Sequence, residues 1–478
     1  MSVSLKSQTV HGVVWSFIER FSVQIVQFVL GIIIARLLSP DEYGLIGMLA
    51  IFISISQVFI DGGFSTALIQ RQDRDEVDFS TVFYINLAIS FFCYFLLFCG
   101  APLIASFYNQ PLLIAITRVY SITLVINSLA AVNKVKLVIA LDFKTQSKIS
   151  FGAACISGLI GALCAWKGLG VWALVIQMFI SSLVNVFLSF YYVKWFPSWI
   201  FSLSSFNKLF SFGSKLLIAS LISNVYTNLY TLVIGKKFST FSLGLYSRAD
   251  QFAQFTSSNI AGILSRVSFP ILSQIQNDDE RLINVYKKYI QMSALIVFPL
   301  ILGLCGIAKP LILLLLTETW IDCVLLLQIL CFSYLWNCVV TVNLNLLNVK
   351  GRSDLVLKLE IVKKSIAFII LAISLFFNLV VICIGLVVYS FIALYMNTYY
   401  TKKLLNYGFK MQLKELLPYL LLALLIMCEA LFFSCYISNS LLSIVISLIV
   451  CPVTYIVICY KTRLDAFVEL ENMIKKSN

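Results

Sequence analysis

Charge is scarce in this sequence of 478 residues. Asp, Glu, Lys and Arg together make up 12% of it, about half of the roughly 25% that is usual in soluble domains. Hydrophobic residues make up 60%, and the mean hydropathy is +0.95. This composition excludes an ordinary soluble globular protein. It predicts an all-α integral membrane protein, because each transmembrane helix needs roughly 20 mainly apolar residues.

Histidine is nearly absent, with His11 as the single example. The patterns His-Glu-x-x-His and Gly-x-Ser-x-Gly do not occur. The stretch IGKKFS, from Ile234, contains a Gly-Lys pair, but the first Gly that a phosphate-binding loop requires five residues before Gly235 is replaced by Tyr230. The thirteen cysteines contain no Cys-x-x-Cys pair. These absences disfavour metal hydrolysis, histidine-dependent nucleophilic catalysis and a built-in ATPase. We therefore expect no enzyme activity, no cofactor and no metal site.

Acidic residues are too few to balance the basic ones, so the net charge is +13. The 35 Lys and Arg are scattered in short clusters between apolar runs and form no long basic tract, which argues against nucleic acid as a partner. Apolar runs bounded by charge, Pro, Gly or Asn predict fourteen transmembrane helices. Their approximate ranges are 11–35, 44–68, 80–104, 112–133, 149–166, 169–193, 211–234, 244–268, 286–308, 323–347, 357–377, 379–401, 415–436 and 440–460.

The distribution of Lys and Arg predicts the orientation of these helices. With a cytoplasmic N-terminus, the gaps and ends on the inner side hold 27 Lys and Arg, and the outer gaps hold six. Cytoplasmic loops are enriched in these residues. We therefore expect an even number of spans, with both termini in the cytoplasm. The gaps are short, so function is expected among the helices.

An internal repeat has a period of 200 residues. The windows IARLLSPDEYGLIG, from Ile34, and IGKKFSTFSLGLYS, from Ile234, share four identical positions and fall after the first helix of each half. Six helices per half make the two copies parallel. We predict a six-helix lobe at 1–208, a second at 209–410, and two additional helices with a cytoplasmic tail at 411–478. The two lobes would surround a central cavity.

Polar residues form stripes on the predicted helices. Arg20 shares a helix face with Gln24 and Gln27, and the positions 200 residues later include Asn224 and Thr227. A charge that faces lipid costs roughly 2.5–3.5 kcal/mol even on the gentlest scales, so these faces are expected to line a shared aqueous cavity. The neutral members have a second interpretation as hydrogen-bond partners between helices.

The remaining charges within spans are further candidates. Asp61 lies on a polar face of the second helix, and Glu19 adjoins Arg20 about 100° around the first. Arg118 and Arg248 lie near the outer ends of the fourth and eighth helices. These two arginines could equally reach the interface with their long side chains or pair locally.

Several segments resemble a known family. ARLLSPDEYGLIGM, DGGFSTALIQR from Asp61, SRVSFPILSQIQND from Ser265, LLQILC from Leu326 and GRSDLVLKLEIVKK from Gly351 are similar to WzxC-like bacterial polysaccharide flippases. That family belongs to the multidrug/oligosaccharidyl-lipid/polysaccharide exporter (MOP) superfamily. The resemblance covers essentially the whole chain. One departure is LLLTETW, which lacks a Gly that the family often has near Thr317.

The resemblance implies that the protein lies in the bacterial cytoplasmic (inner) membrane and moves a polyprenyl-diphosphate-linked oligosaccharide from the inner to the outer leaflet. It also implies alternating access between the two lobes, with the two additional helices guiding lipid. Arg20, Arg118 and Arg248 would then bind the diphosphate, for which Arg is suited. Four polar residues would bind sugars: Gln24, Gln27, Asn224 and Thr227. Asp61 or Glu19 would bind a coupling ion. The expected partners are this substrate, the bilayer and a polysaccharide polymerase machinery.

Two other functions stay open from the sequence. A multidrug antiporter of the same superfamily would have the same core helices, but it should prefer acidic residues for cationic drugs. A membrane polysaccharide polymerase or ligase would usually have a large external loop with charged catalytic residues. The outer gaps of this chain are short.

Overall fold

The structure is a computed structural model that describes residues 23–71 and 73–477. Within these residues it has nineteen α-helices, labelled in chain order, and a short 3₁₀ turn at Glu318–Trp320. The helices of the first half are α1 Val23–Leu37, α2 Pro40–Asp61, α3 Phe64–Gln70, α4 Glu76–Tyr108, α5 Leu113–Tyr120, α6 Ile122–Ile139, α7 Phe143–Trp166, α8 Val171–Val193 and α9 Leu203–Lys237. The later helices are α10 Thr240–Gln274, α11 Asp279–Gly306, α12 Ala308–Leu315, α13 Cys323–Leu335, α14 Asn337–Val349, α15 Ser353–Ser374, α16 Leu379–Leu405, α17 Phe409–Tyr436, α18 Ser440–Thr462 and α19 Asp465–Ser477.

The chain is a multi-pass membrane protein. Among the described residues, eleven helical segments are long and apolar enough to cross a membrane. Eleven of the fourteen predicted spans coincide with these segments, and the predicted total of fourteen is not confirmed. The first predicted span is described only from Val23, as α1. Helix α10 covers the predicted span 244–268, and α15 covers the predicted span 357–377 as far as Ser374, but neither helix is among the eleven.

The second predicted span, 44–68, falls within the apolar spanning segment Pro40–Gln70, which consists of two helices. It breaks between α2 and α3, where Gly62 and Gly63 adopt φ values of 52° and 73°. This left-handed conformation is readily adopted by glycine, and it ends the hydrogen-bonded ladder of α2. The fourth and tenth predicted spans also divide, at Ser121 and Trp336, although both residues keep helical dihedrals.

The chain divides at Gly244/Leu245 into two compact units. In the first unit, a hydrophobic cluster joins α3, α4, α6 and the start of α9 and includes Phe64, Phe83, Val132 and Leu209. In the second, α11 packs against α13, α14 and α17. The predicted lobes 1–208 and 209–410, with the additional segment 411–478, follow the sequence repeat and stay a prediction.

The two turns of the 200-residue repeat contact each other within the first unit. Each precedes a helix, α2 beginning at Pro40 and α10 at Thr240. A Cβ atom added to Gly44 would lie 1.9 Å from the carbonyl oxygen of Thr240, and one added to Gly244 would lie 1.9 Å from that of Pro40. The contact is therefore reciprocal, and only glycine permits the two backbones to approach so closely.

Candidate functional site

The predicted site begins on α1, but its two charged members, Glu19 and Arg20, lie outside the described residues. Of the other two, Gln24 is half-buried and Gln27 is exposed. The same helix packs against α7, where the side chain of Leu30 fills the space left by Gly158. The first helix therefore combines an apolar contact with α7 and an accessible amide.

The α9 helix carries the corresponding polar residues of the second half. Asn224 is half-buried, and its carboxamide oxygen accepts a hydrogen bond from Asn228 Nδ2 at 3.1 Å. The hydroxyl of Thr227 is exposed and donates to the carbonyl of Ser223 at 2.9 Å. Thr227 lies near the middle of the apolar segment Leu216–Lys237, the least buried of the eleven. A polar row is thus accessible at mid-span.

Asp61 is the last residue of α2, immediately before the glycine break. Its carboxylate accepts a hydrogen bond from the hydroxyl of Ser65 on α3. At the same place α9 crosses the break: a Cβ atom on Gly63 would lie 2.5 Å from the carbonyl oxygen of Gly213. The Asp-Gly-Gly sequence signals the break, but the crossing by Gly213 was not predicted, because sequence spacing contains no information on that distant contact.

Arg118 lies in the last turn of α5, beside Ser121, which separates α5 from α6. Its guanidinium carbon is 4.4 Å from the centre of the Phe98 ring on α4, an arrangement typical of a cation–π contact. Its Nε atom is buried and has no hydrogen-bond partner among the described residues. Part of its hydrogen-bonding capacity is therefore unused.

Arg248 belongs to the second unit, where α10 places it near the 3₁₀ turn. It is 7% exposed, donates from Nη1 to Gln251 Oε1 at 2.7 Å, and lies 5.9 Å from the ring centre of Trp320. Its neighbour Asp250 accepts a hydrogen bond from the hydroxyl of Tyr334 at 2.8 Å.

The structure groups the predicted site residues by helix. Gln24 and Gln27 are on α1, Asn224 and Thr227 are one turn apart on α9, and Asp61 is at the point where α9 crosses the helix break. The two arginines lie elsewhere: Arg118 is beside Ser121, between α5 and α6, and Arg248 is in the second unit.

The second unit contains an apolar pocket that the sequence did not predict. Its volume is about 430 Å³, and it lies between α11, α17 and α18 with one contribution from α10. Its lining residues are Thr256, Pro299, Leu300, Gly303, Leu304, Ile307, Ile426, Ala430, Ser447, Leu448, Cys451, Pro452, Tyr455 and Ile456. The sequence signal that could have indicated this pocket is the presence of Pro299, Gly303 and Pro452 inside apolar helices, since proline and glycine favour gaps between packed helices.

The wall of the pocket includes a proline inside α11, Pro299. Pro299 has no N–H to donate to the carbonyl of Leu295, one turn earlier, and its ring displaces that carbonyl. The hydroxyl of Tyr455 on α18 donates to this carbonyl at 2.7 Å. Backbone groups exposed to hydrocarbon need a partner inside the protein, and Tyr455 provides one for the carbonyl that Pro299 leaves without its usual donor.

Comparison with solved structures defines the class of fold. The chain is similar to the lipid II flippase MurJ in an inward closed conformation, with a TM-score of 0.76, 13% identity, and coverage of 94% of this chain and 99% of that chain. It is also similar to an inward-facing multidrug resistance MATE family transporter of the MOP superfamily, with a TM-score of 0.58, 14% identity, and coverage of 79% and 95% respectively. The protein has the fold of these membrane transporters.

The family follows from the sequence comparison. Residues 33–325 match the family described as "Polysaccharide biosynthesis protein", and the chain belongs to this family. It is 27% identical over 354 residues to the teichuronic acid biosynthesis protein TuaB of Bacillus subtilis, covering 74% of this chain and 73% of TuaB. It is 26% identical over 367 residues to the lipopolysaccharide biosynthesis protein WzxC of Escherichia coli, covering 76% and 74%. A third relative, the succinoglycan biosynthesis transport protein ExoT of Rhizobium meliloti, is 27% identical over 324 residues, covering 67% and 65%.

Proposed function

We propose that this protein translocates polyprenyl-diphosphate-linked oligosaccharide units across the bacterial cytoplasmic membrane by alternating access. The observation that carries the proposal is the accessible polar row in the middle of α9, because polar side chains at mid-span are expected to line water rather than lipid. Family membership and the transporter fold support it. The chain would then act in the inner membrane, with both termini in the cytoplasm, as a transporter rather than an enzyme.

The two parts of such a substrate require different surroundings. The sugars are polar and would contact Gln24, Gln27, Asn224 and Thr227. The polyprenyl chain is apolar, and the pocket between α11, α17 and α18 offers it a matching surface. This assignment gives a role to the two additional helices of the 411–478 segment.

The diphosphate needs cationic partners in a site of low dielectric constant. Arg20 is the best-placed candidate by its position in the first predicted span, with Arg118 and Arg248 as second candidates. The unsatisfied Nε of Arg118 supports its inclusion, because a phosphate oxygen could accept from it. A polysaccharide polymerase machinery would be the partner that receives the exported unit.

The experiment that tests the function is mass spectrometry of lipid extracts from a strain that lacks this protein. The leaflet of any accumulated intermediate would be probed in intact spheroplasts. We expect a polyprenyl-diphosphate oligosaccharide to accumulate on the inner face, and this would also identify the cargo. No accumulation, together with new sensitivity to cationic drugs, would instead support the multidrug antiporter.

Asp61 is our candidate for binding a coupling ion, with Glu19 as the alternative. We expect Asp61→Asn to reduce export strongly, because the amide keeps the size of the side chain but removes its negative charge. Ser65→Ala is the matched control, since it removes the hydrogen bond to Asp61 and leaves the charge. Export would be measured as surface polysaccharide at equal protein levels. If the two variants were equally active, Asp61 would not be the coupling residue.

A further inference from the structure

The segment between α8 and α9 exposes an unusual number of large apolar side chains. This linker segment comprises residues 194–202, and its most exposed members are Trp199 at 95% and Phe196 at 70%; Leu203, the first residue of α9, is 68% exposed. Phe201 and Ile200 are also at least half exposed. Because these residues lie outside the apolar spanning segments Val171–Val193 and Leu216–Lys237, lipid contact along a span does not account for their exposure, and such a surface marks an interaction site.

The linker segment is fixed to the helices beside it. The indole N–H of Trp195 donates to Glu76 Oε2 at 2.6 Å, and the backbone N–H groups of Ser198 and Ser202 donate to the hydroxyls of Ser80 and Thr81 at 3.0 and 3.2 Å. These bonds hold the exposed side chains in place and satisfy backbone donors that would otherwise need water. A segment of this kind can enter the boundary region of a bilayer at less cost than an ordinary loop.

The position and charge of the linker segment indicate what covers it. It begins one residue after Val193, the last residue of an apolar spanning segment, so it starts at the membrane boundary. Tryptophan and tyrosine are enriched at that boundary, and the ring of Trp199 stacks with that of Tyr84, with centroids 6.2 Å apart. Lys148, Lys194 and Lys208 are exposed nearby in the first unit, and basic residues at a membrane surface attract anionic lipids.

We infer that the linker segment is a preformed membrane anchor that inserts Phe196, Trp199 and Phe201 among the headgroups of anionic phospholipids. In the predicted orientation these lipids belong to the inner leaflet. The anchor would fix the connection between the two predicted lobes at the bilayer surface. It requires no particular cargo, so it stands whether or not the proposed function is correct.

The test uses the full-length protein in nanodiscs and the fluorescence difference between wild type and Trp199→Phe. We expect the Trp199 emission to be quenched by phospholipids brominated close to the headgroup and protected from aqueous acrylamide. Trp320→Phe is the matched control, because Trp320 is fully buried and its emission should respond to neither quencher. Quenching of Trp199 by acrylamide and not by brominated lipid would overturn the anchor.

The preference of the linker segment for anionic headgroups is tested by changing the lipid composition of the nanodisc. Quenching by brominated lipid should fall at least twofold when anionic phosphatidylglycerol is replaced by zwitterionic phosphatidylcholine. The double variant Lys194→Gln/Lys208→Gln should show the lower value in both lipids. Equal quenching of the wild type in the two lipids would refute the preference for anionic headgroups.

Discussion

Replacing Gly44 by alanine is expected to destabilise the protein by about 1–3 kcal/mol or more, the usual cost of forcing an extra group into a packed contact. The added Cβ would lie 1.9 Å from the carbonyl oxygen of Thr240, and this backbone atom cannot move aside as a flexible side chain would. The first turns of α2 and α10 would have to separate. Thermal unfolding of the purified variant in detergent would measure the loss.

Gly100→Ala is the matched control for this prediction. Gly100 also lies inside a helix, α4, but a Cβ atom there meets nothing within 4 Å. Alanine is the better helix former by roughly 1 kcal/mol, so this variant should be as stable as the wild type or more stable. Equal stability of the two variants would show that the close contact at Gly44 does not exist.

Gly244→Ala extends the prediction to the second copy of the repeat. Because the contact is reciprocal, its loss of stability should match that of Gly44→Ala. The double variant should lose less than the sum of the two, since both substitutions push apart the same pair of helices. Strict additivity would argue that the two glycines act at independent places.

Arg20→Ala is expected to abolish export while leaving membrane insertion intact. Hydrogen bonds to charged groups contribute about 1.5–3 kcal/mol each, so losing the bidentate phosphate contact proposed for Arg20 should lower transport by roughly 100-fold or more. Arg20→Lys should recover part of the activity, because it restores the charge without the paired donors. Surface polysaccharide would be measured at equal amounts of folded, membrane-inserted protein.

The control for Arg20 is an arginine of the same chain with no proposed role in transport. Arg352 is exposed in the turn before α15 and forms an ion pair with Asp354 at 2.9 Å. Exposed pairs of this kind contribute little to stability. Arg352→Ala should therefore export normally. Full activity of Arg20→Ala would remove Arg20 from the site.

The sequence was a good guide to the helices because the bilayer sets their length. Apolar runs near twenty residues predicted the spanning segments, and the 200-residue repeat predicted that the turns before Gly44 and Gly244 correspond. The repeat could not predict that these turns touch each other. Its spacing describes each copy along the chain, whereas the contact depends on how distant helices pack.

The candidate site was harder to predict for the same reason. The polar face of α9 follows from helical periodicity, and the structure leaves Thr227 accessible on it. The placement of Arg118 against Phe98 and the apolar pocket beside Pro299 depend on neighbouring helices. Periodicity describes one helix at a time, so it gives no account of either.

The backbone contact between Gly63 and Gly213 connects α9 to the helix break that follows Asp61. The carbonyl of Gly213 lies directly against the break that follows Asp61, while Asn224 is eleven residues further along the same helix, about 16 Å at 1.5 Å per residue. The two backbones are in direct contact at Gly63 and Gly213, so under the proposed function a tilt of α9 near Asn224 would move the backbone beside Asp61. The proposed sugar contacts and the proposed ion site would then be connected through one helix.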